Sequence, residues 1–200
     1  MGEFLPSRPL PALKRPSSAK AVHAGSIFTV WQWPQQVSET QTRTYEQLSR
    51  RDTAVILPIS GDGRLLLARE EQPGMKARLH SLGGKVEPDE SPEAAARREL
   101  MEEAGVAVDR ISLWHAWQPL SKIDWAVHVF WASNAREVRP PSLEAGEAIS
   151  QHWVDAEGFL EGNVPSGFDD AELTFLFGLA RIDPAHRQQM IRSYQQCSMP

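Results

Sequence analysis

Apolar and polar positions along the chain fall into short blocks punctuated by glycine, proline and aspartate. Residues 26–33 (SIFTVWQW) are rich in β-branched and aromatic side chains and predict a strand, closed by Pro34. Residues 42–48 predict a weaker partner for it. Residues 53–59 (TAVILPI) form the apolar run of a buried strand. Gly61-Asp62-Gly63 then makes a tight turn, and residues 64–68 (RLLLA) return beside it. Residues 79–82 lead into Gly83-Gly84. Further strands are predicted over 106–117 and 125–132, where Ala126, His128 and Phe130 alternate with Val127, Val129 and Trp131, and over 150–154.

Two stretches carry helical signals. Ser91 is an N-cap, Pro92 suits the first helical position, and Glu93 complements the positive end of the helix dipole. Ala94 to Ala96 are strong helix formers, and Gly105 follows where a helix commonly ends. This predicts a helix through Ala104. Residues 169–182 (DDAELTFLFGLARI) predict a second, with a strongly apolar face. The result is a mixed α/β chain without an internal repeat or the Gly-rich first turn of a dinucleotide-binding fold. Residues 1–25, proline-rich and aperiodic, read as a flexible tail; Arg8, Lys14, Arg15 and Lys20 are candidates for a basic arm, with a disordered leader the plainer reading. Residues 26–182 read as the domain, and residues 183–200 as a polar C-terminal tail, helical or frayed.

Composition narrows the function classes. At 200 residues the chain suffices for one ordinary domain. Its net charge of −5 argues against broad nucleic-acid binding, and it lacks the run of apolar residues that a membrane-spanning helix requires. The lone cysteine, Cys197, excludes an intrachain disulfide and suits a reducing cytoplasm; it reads as a tail residue rather than a redox thiol. The seven tryptophans read as core or interface residues, with Trp33 and Trp125 as candidates for stacking on a nucleobase. Among the histidines no metal-ligand spacing occurs, and His80 stands out only for its place beside Gly83-Gly84.

The first predicted helix carries the chemistry. Glu99 and Glu103 are spaced i, i+4, and Glu99 and Glu102 i, i+3, so three carboxylates crowd one flank. Like charges at these spacings destabilise an isolated helix by a few tenths of a kcal/mol per pair, roughly. A hard divalent cation is one compensation, because Mg²⁺ takes oxygen ligands and commonly keeps waters and substrate phosphates as well. A solvated acidic face balanced by Arg97 and Arg98 is the plainer reading. The surroundings favour the cation: Glu90 lies just before the helix as a partner for Arg98, and Gly83-Gly84 permits close backbone approach to a ligand.

Gly84, five residues, Glu90, seven residues, then Arg98-Glu99-Leu100-Met101-Glu102-Glu103-Ala104-Gly105-Val106 resembles the Nudix box at every fixed position. The resemblance implies an αβα sandwich with a mixed sheet and hydrolysis of a nucleoside diphosphate linked to another moiety. It implies that Glu99, Glu102 and Glu103, with the Gly83 carbonyl, hold Mg²⁺ or Mn²⁺, while Glu90 and Arg98 support the loop and helix.

Weaker similarity to the ADP-ribose pyrophosphatase branch extends from Arg51-Asp52-Thr53-Ala54-Val55 through Pro119 to Asp170-Ala171-Glu172-Leu173-Thr174. In that branch an acidic loop supplies the general base, which implies Glu147 first and Glu144 second. Arg51 and Arg69 are the implied substrate contacts, Arg69 as a substitute for the branch's phosphate-binding arginine, because Arg69-Glu70-Glu71-Gln72-Pro73 and His80-Ser81-Leu82-Gly83-Gly84 depart from the branch pattern. ADP-ribose or a related nucleotide sugar is the expected substrate; dinucleotides and nucleoside triphosphates remain open, as does a nucleotide sensor without turnover. The branch also implies a homodimer with residues 26–48 at the interface. No nucleic-acid polymer and no membrane is expected as a partner.

Overall fold

The computed structural model describes residues 8–71, 74, 76–143 and 148–198. Two compact units result, Met1–Thr53 with Ala116–Val127, and Ala54–His115 with His128–Pro200.

The first unit is built on a sheet ordered β1 (Lys20–Ala24), β2 (Thr29–Gln36), β3 (Thr42–Ser49) and β10 (Ile123–Asp124). β1 and β3 run antiparallel to β2, and β10 runs parallel to β3. β2 continues through Pro34 rather than ending before it. The register explains why: β1 reaches only as far as Gln32, so Pro34, opposite Thr44, lies where one edge of β2 lacks β1 as a neighbour.

From Arg8 onward the leader makes long-range contacts that its composition does not announce. Arg8 forks onto Asp52 at 2.6 and 2.8 Å and reaches Asp124 at 2.9 Å. Leu13 accepts from Gln47 at 2.6 Å, and the Arg15 guanidinium lies 4.1 Å from the Trp31 ring. Residues 20–24 are a strand. The proline-rich stretch gains its order from these distant partners, which local propensity cannot register.

The second unit holds a sheet of order β12 (Ala148–Asp155), β5 (Arg64–Glu71), β4 (Thr53–Ser60), β11 (Val127–Glu137) and β8 (Val106–Ala107). Off this path, β6 (Arg78–His80) pairs with β5, β7 (Leu82–Lys85) with β4, and β9 (Arg110–Trp117) with β11. The predicted strand over 106–117 is therefore two strands, broken where the Asp109 amide donates to the Ser133 carbonyl at 3.0 Å.

Helices cover both faces of this sheet. Phe130 and Ala132 share a buried cluster with Ala95, Ala96, Leu100 and Ala104 of α1 (Pro92–Ala104). Trp131 lies between them in sequence, so its side chain points to the opposite face. There it stacks on Trp114 at 5.3 Å and meets Tyr194 of α4 (Pro184–Ser198) at 5.6 Å. Phe177 of α3 (Ala171–Ile182) joins Trp114 at 5.5 Å. This is the expected αβα arrangement, and it explains why residues 54–59 are buried without alternation.

Short α2 (Ala156–Glu161), capped by Asp155 and Gly162, escapes the sequence reading. The polar C-terminus is a full helix, because His186, Met190, Ser193 and Cys197 form a buried stripe at helical spacing. Burial raises the Cys197 thiol pKa, so it is a packing residue rather than a reactive one.

Two outcomes follow. Leu100→Ala empties a fully buried position and is expected to cost about 3 kcal/mol of unfolding free energy, read from denaturant midpoints. His115 meets the His186 ring edge-on at 4.9 Å, and burial followed by His186 charge pulls its pKa down to about 4 from 6.5. The unfolded chain therefore binds the proton more readily. Stability is expected to fall as pH drops from about 6.5 towards 4, and His115→Phe to flatten that loss.

Candidate active site

Local sequence builds α1 as read. The Ser91 hydroxyl accepts from the Ala94 amide at 3.1 Å, Pro92 occupies the first turn, and Gly105 closes the helix at φ 65°. Gly105 admits no side chain, because a methyl there would run into the Arg139 carbonyl.

On the half-buried outer flank, Arg98 is the hub. Its Nε donates to Glu90 at 2.8 Å, Nη1 to Glu99 and Glu102 at 2.9 Å each, and Nη2 to the Lys85 carbonyl at 2.9 Å. One guanidinium thus joins the helix to the segment that precedes it, using the fixed fork that only arginine offers. Arg98 holds the Glu90 carboxyl below the usual carboxylate range by this hydrogen bond. Glu99 shows the opposite balance: burial pushes its pKa up despite Arg98.

The glycines set the approach to the flank. A side chain at Gly84 would run into the Glu99 carboxylate, and one at Gly83 into the Ala54 carbonyl. Gly83 adopts φ 144°, and its amide donates to Glu103 Oε2 at 3.0 Å. The box carboxylates are therefore engaged by Arg98 and by the loop backbone. Among the described residues no three His, Cys, Asp or Glu side chains converge as a ready-made metal cage. The donors fit a hard cation in kind: all are oxygens, and Glu102 is about 44% exposed.

Arg69 lies on β5 in the same unit, exposed, with Glu71 at 3.5 Å and Ser150 as its strand neighbour. Arg51, Trp33 and Trp125 belong to the other unit. Trp33 is buried at 2% exposure and tilted on Tyr45, which matches the core reading of the tryptophans and leaves no open face for the candidate stacking role in this chain. Trp125 donates to the Thr53 hydroxyl at 2.9 Å, and the Arg50 guanidinium lies 4.7 Å from its ring.

Glu144 and Glu147 lie outside the described residues. Their flanks are anchored on the box unit: the Ser142 amide donates to the Glu102 carbonyl at 2.7 Å, and Ala148 pairs with Glu71.

Sequence reasoning overlooked the polar residues just upstream of the loop. Buried Glu70 accepts from Arg78 at 2.8 and 3.0 Å, with His80 Nε2 at 3.1 Å, and His80 Nδ1 donates to the Ser81 carbonyl at 2.6 Å. Asp170 takes both the Ser81 amide and hydroxyl. Only His80 carried a signal, its nearness to the glycines.

The NUDIX domain family matches residues 49–174. The chain is 30% identical over 147 residues to the ADP compounds hydrolase NudE of Escherichia coli (strain K12), covering 68% of this chain and 74% of that protein. It is 31% identical over 110 residues to the oxidized purine nucleoside triphosphate hydrolase of Danio rerio, covering 46% and 67% respectively. A crystal structure of an ADP compounds hydrolase superposes with a TM-score of 0.65 at 24% identity, over 86% of this chain and 95% of that one, and shares the fold.

Arg98→Ala leaves three carboxylates and a carbonyl without their donor. Stability is expected to fall by about 2 kcal/mol, given the typical worth of hydrogen bonds to charged groups, with Arg98→Lys recovering only part of it; thermal or chemical unfolding measures both.

Proposed function

The chain belongs to the NUDIX family and is a pyrophosphohydrolase, and on that premise we propose that it hydrolyses an ADP-linked compound, ADP-ribose or a related nucleotide sugar, with Mg²⁺ or Mn²⁺ as cofactor. The observation that carries the reading is the Arg98 hub, which gathers Glu99 and Glu102 on one flank of α1 beside Gly84. Glu99, Glu102, Glu103 and the Gly83 carbonyl would hold the cation. When bound, it neutralises diphosphate charge and lowers the pKa of a coordinated water.

The protein residues do the rest. Glu147, or Glu144 in second place, accepts the proton of the attacking water. The water oxygen bonds to phosphorus as the bridging phosphorus–oxygen bond breaks, giving a nucleoside monophosphate and a phosphorylated product. Support for the base comes from the flanks, since Ser142 is tied to the carbonyl of Glu102 itself. Arg69, exposed on β5, is the phosphate contact within this unit. Activity as a homodimer in the cytoplasm belongs to the same reading, supported by the branch resemblance and the single cysteine.

A second reading is supported by the His80–Gly84 segment, which departs from the ADP-ribose branch, and by the Danio rerio relative named for nucleoside triphosphates. A panel of ADP-ribose, dinucleotides and nucleoside triphosphates with Mg²⁺, each repeated with chelator, separates the two by its products. Metal-dependent release of AMP from ADP-ribose is expected, and turnover confined to triphosphates would replace the first reading with the second. Glu102→Gln is expected to reduce turnover by about 100-fold or more at saturating Mg²⁺; a change within threefold, roughly, would remove Glu102 from the ligand set.

A further inference from the structure

Just upstream of the glycine loop, Ser81 has its amide, hydroxyl and carbonyl all engaged, by Asp170 and His80. Its amide and hydroxyl donate to Asp170 Oδ2 at 3.0 and 2.5 Å, and its carbonyl accepts from His80 at 2.6 Å. Asp170 is only 8% exposed, and its other oxygen accepts the Leu173 amide at 2.9 Å as the N-cap of α3. Backbone bonds continue the seam: the Leu79 amide donates to the Gly167 carbonyl at 2.9 Å, and the Asp169 amide to the Leu79 carbonyl at 2.7 Å. Two residues beyond Ser81, Gly83 is wedged against Ala54 and donates to Glu103. A continuous chain of contacts therefore runs from the start of α3, through Ser81 and Gly83, to the box helix.

We propose that Asp170 is a positioning residue for the cation site: by gripping Ser81 it sets the place of the Gly83 backbone, whose amide meets Glu103 and whose carbonyl would be a cation ligand. The inference rests on the reading that these groups bind a divalent cation. A residue needed only to start α3 would require the Leu173 bond alone. The two bonds to Ser81 serve the loop, and a buried carboxylate can accept all three donors at once.

Asp170→Asn separates the two roles. Asparagine is an equally good N-cap. With its oxygen turned to Leu173, its amide nitrogen meets the Ser81 donors and the grip is lost. Asp155→Asn, at the N-cap of α2, is the control for capping alone. Amide hydrogen exchange over residues 81–84 without metal, and calorimetric titration with Mn²⁺, give readouts independent of turnover.

For Asp170→Asn, faster exchange confined to that segment and about 10-fold weaker Mn²⁺ binding are expected, the low end of the effect of residues that orient metal ligands. Ser81→Ala keeps the amide bond and is expected to lie between this variant and the wild type, while Asp155→Asn binds Mn²⁺ like the wild type. Wild-type exchange and Mn²⁺ affinity in Asp170→Asn would overturn the proposal and leave the cation reading standing. A wild-type protein that binds no Mn²⁺ would overturn both.

Discussion

Everything at the candidate site depends on how one helix tolerates three glutamates on a single flank. Placed at i, i+3 and i+4, Glu99, Glu102 and Glu103 repel one another, and the repulsion strengthens as water is excluded. Arg98 answers with a planar fork that reaches Glu90, Glu99 and Glu102 and extends to the Lys85 carbonyl. That geometry does more than offset charge. It ties the helix to the segment before it, so the acidic flank and the glycine loop hold one arrangement.

The packing below the helix makes the arrangement firm. Ala95, Ala96, Leu100 and Ala104 pack in one buried cluster with Ile56, Leu66 and Phe130, and the three alanines leave room for α1 to sit close. On the other face the tryptophans fill the space under α3 and α4, with Trp114 against Trp131 and Phe177. The box residues are therefore presented from a sheet covered on both sides, and the Gly83–Gly84 segment is held between β4 and the helix. On the proposed function, an acidic protein would gain a place for an anionic substrate in this way, with arginine and a recruited cation standing between like charges.

Much of this was legible in the chain. The cap at Ser91, the stop at Gly105, and the buried strand of residues 54–59 each follow from a few adjacent side chains. The Glu90–Arg98 pair followed from spacing too, because only seven residues lie between them across a single turn and helix start. Where local composition misled, long-range contacts were responsible. The proline-rich leader is ordered by Asp52 and Asp124, and β2 passes through Pro34 because β1 stops short of it. The polar C-terminal segment, read as helical or frayed, is a packed helix because His186, Met190, Ser193 and Cys197 form a narrow buried stripe.

By itself, then, the sequence determined the chemistry of α1, since helical periodicity brings residues three and four apart onto one face whatever lies around them. It also determined the family, through a motif that is contiguous. Tertiary structure alone decided what holds the glycine loop. Ser81 and Asp170 are 89 positions apart, and no local rule joins them. Such a contact exists only when the sheet and α3 have assembled, because a buried carboxylate finds its donors from the elements the fold delivers to it.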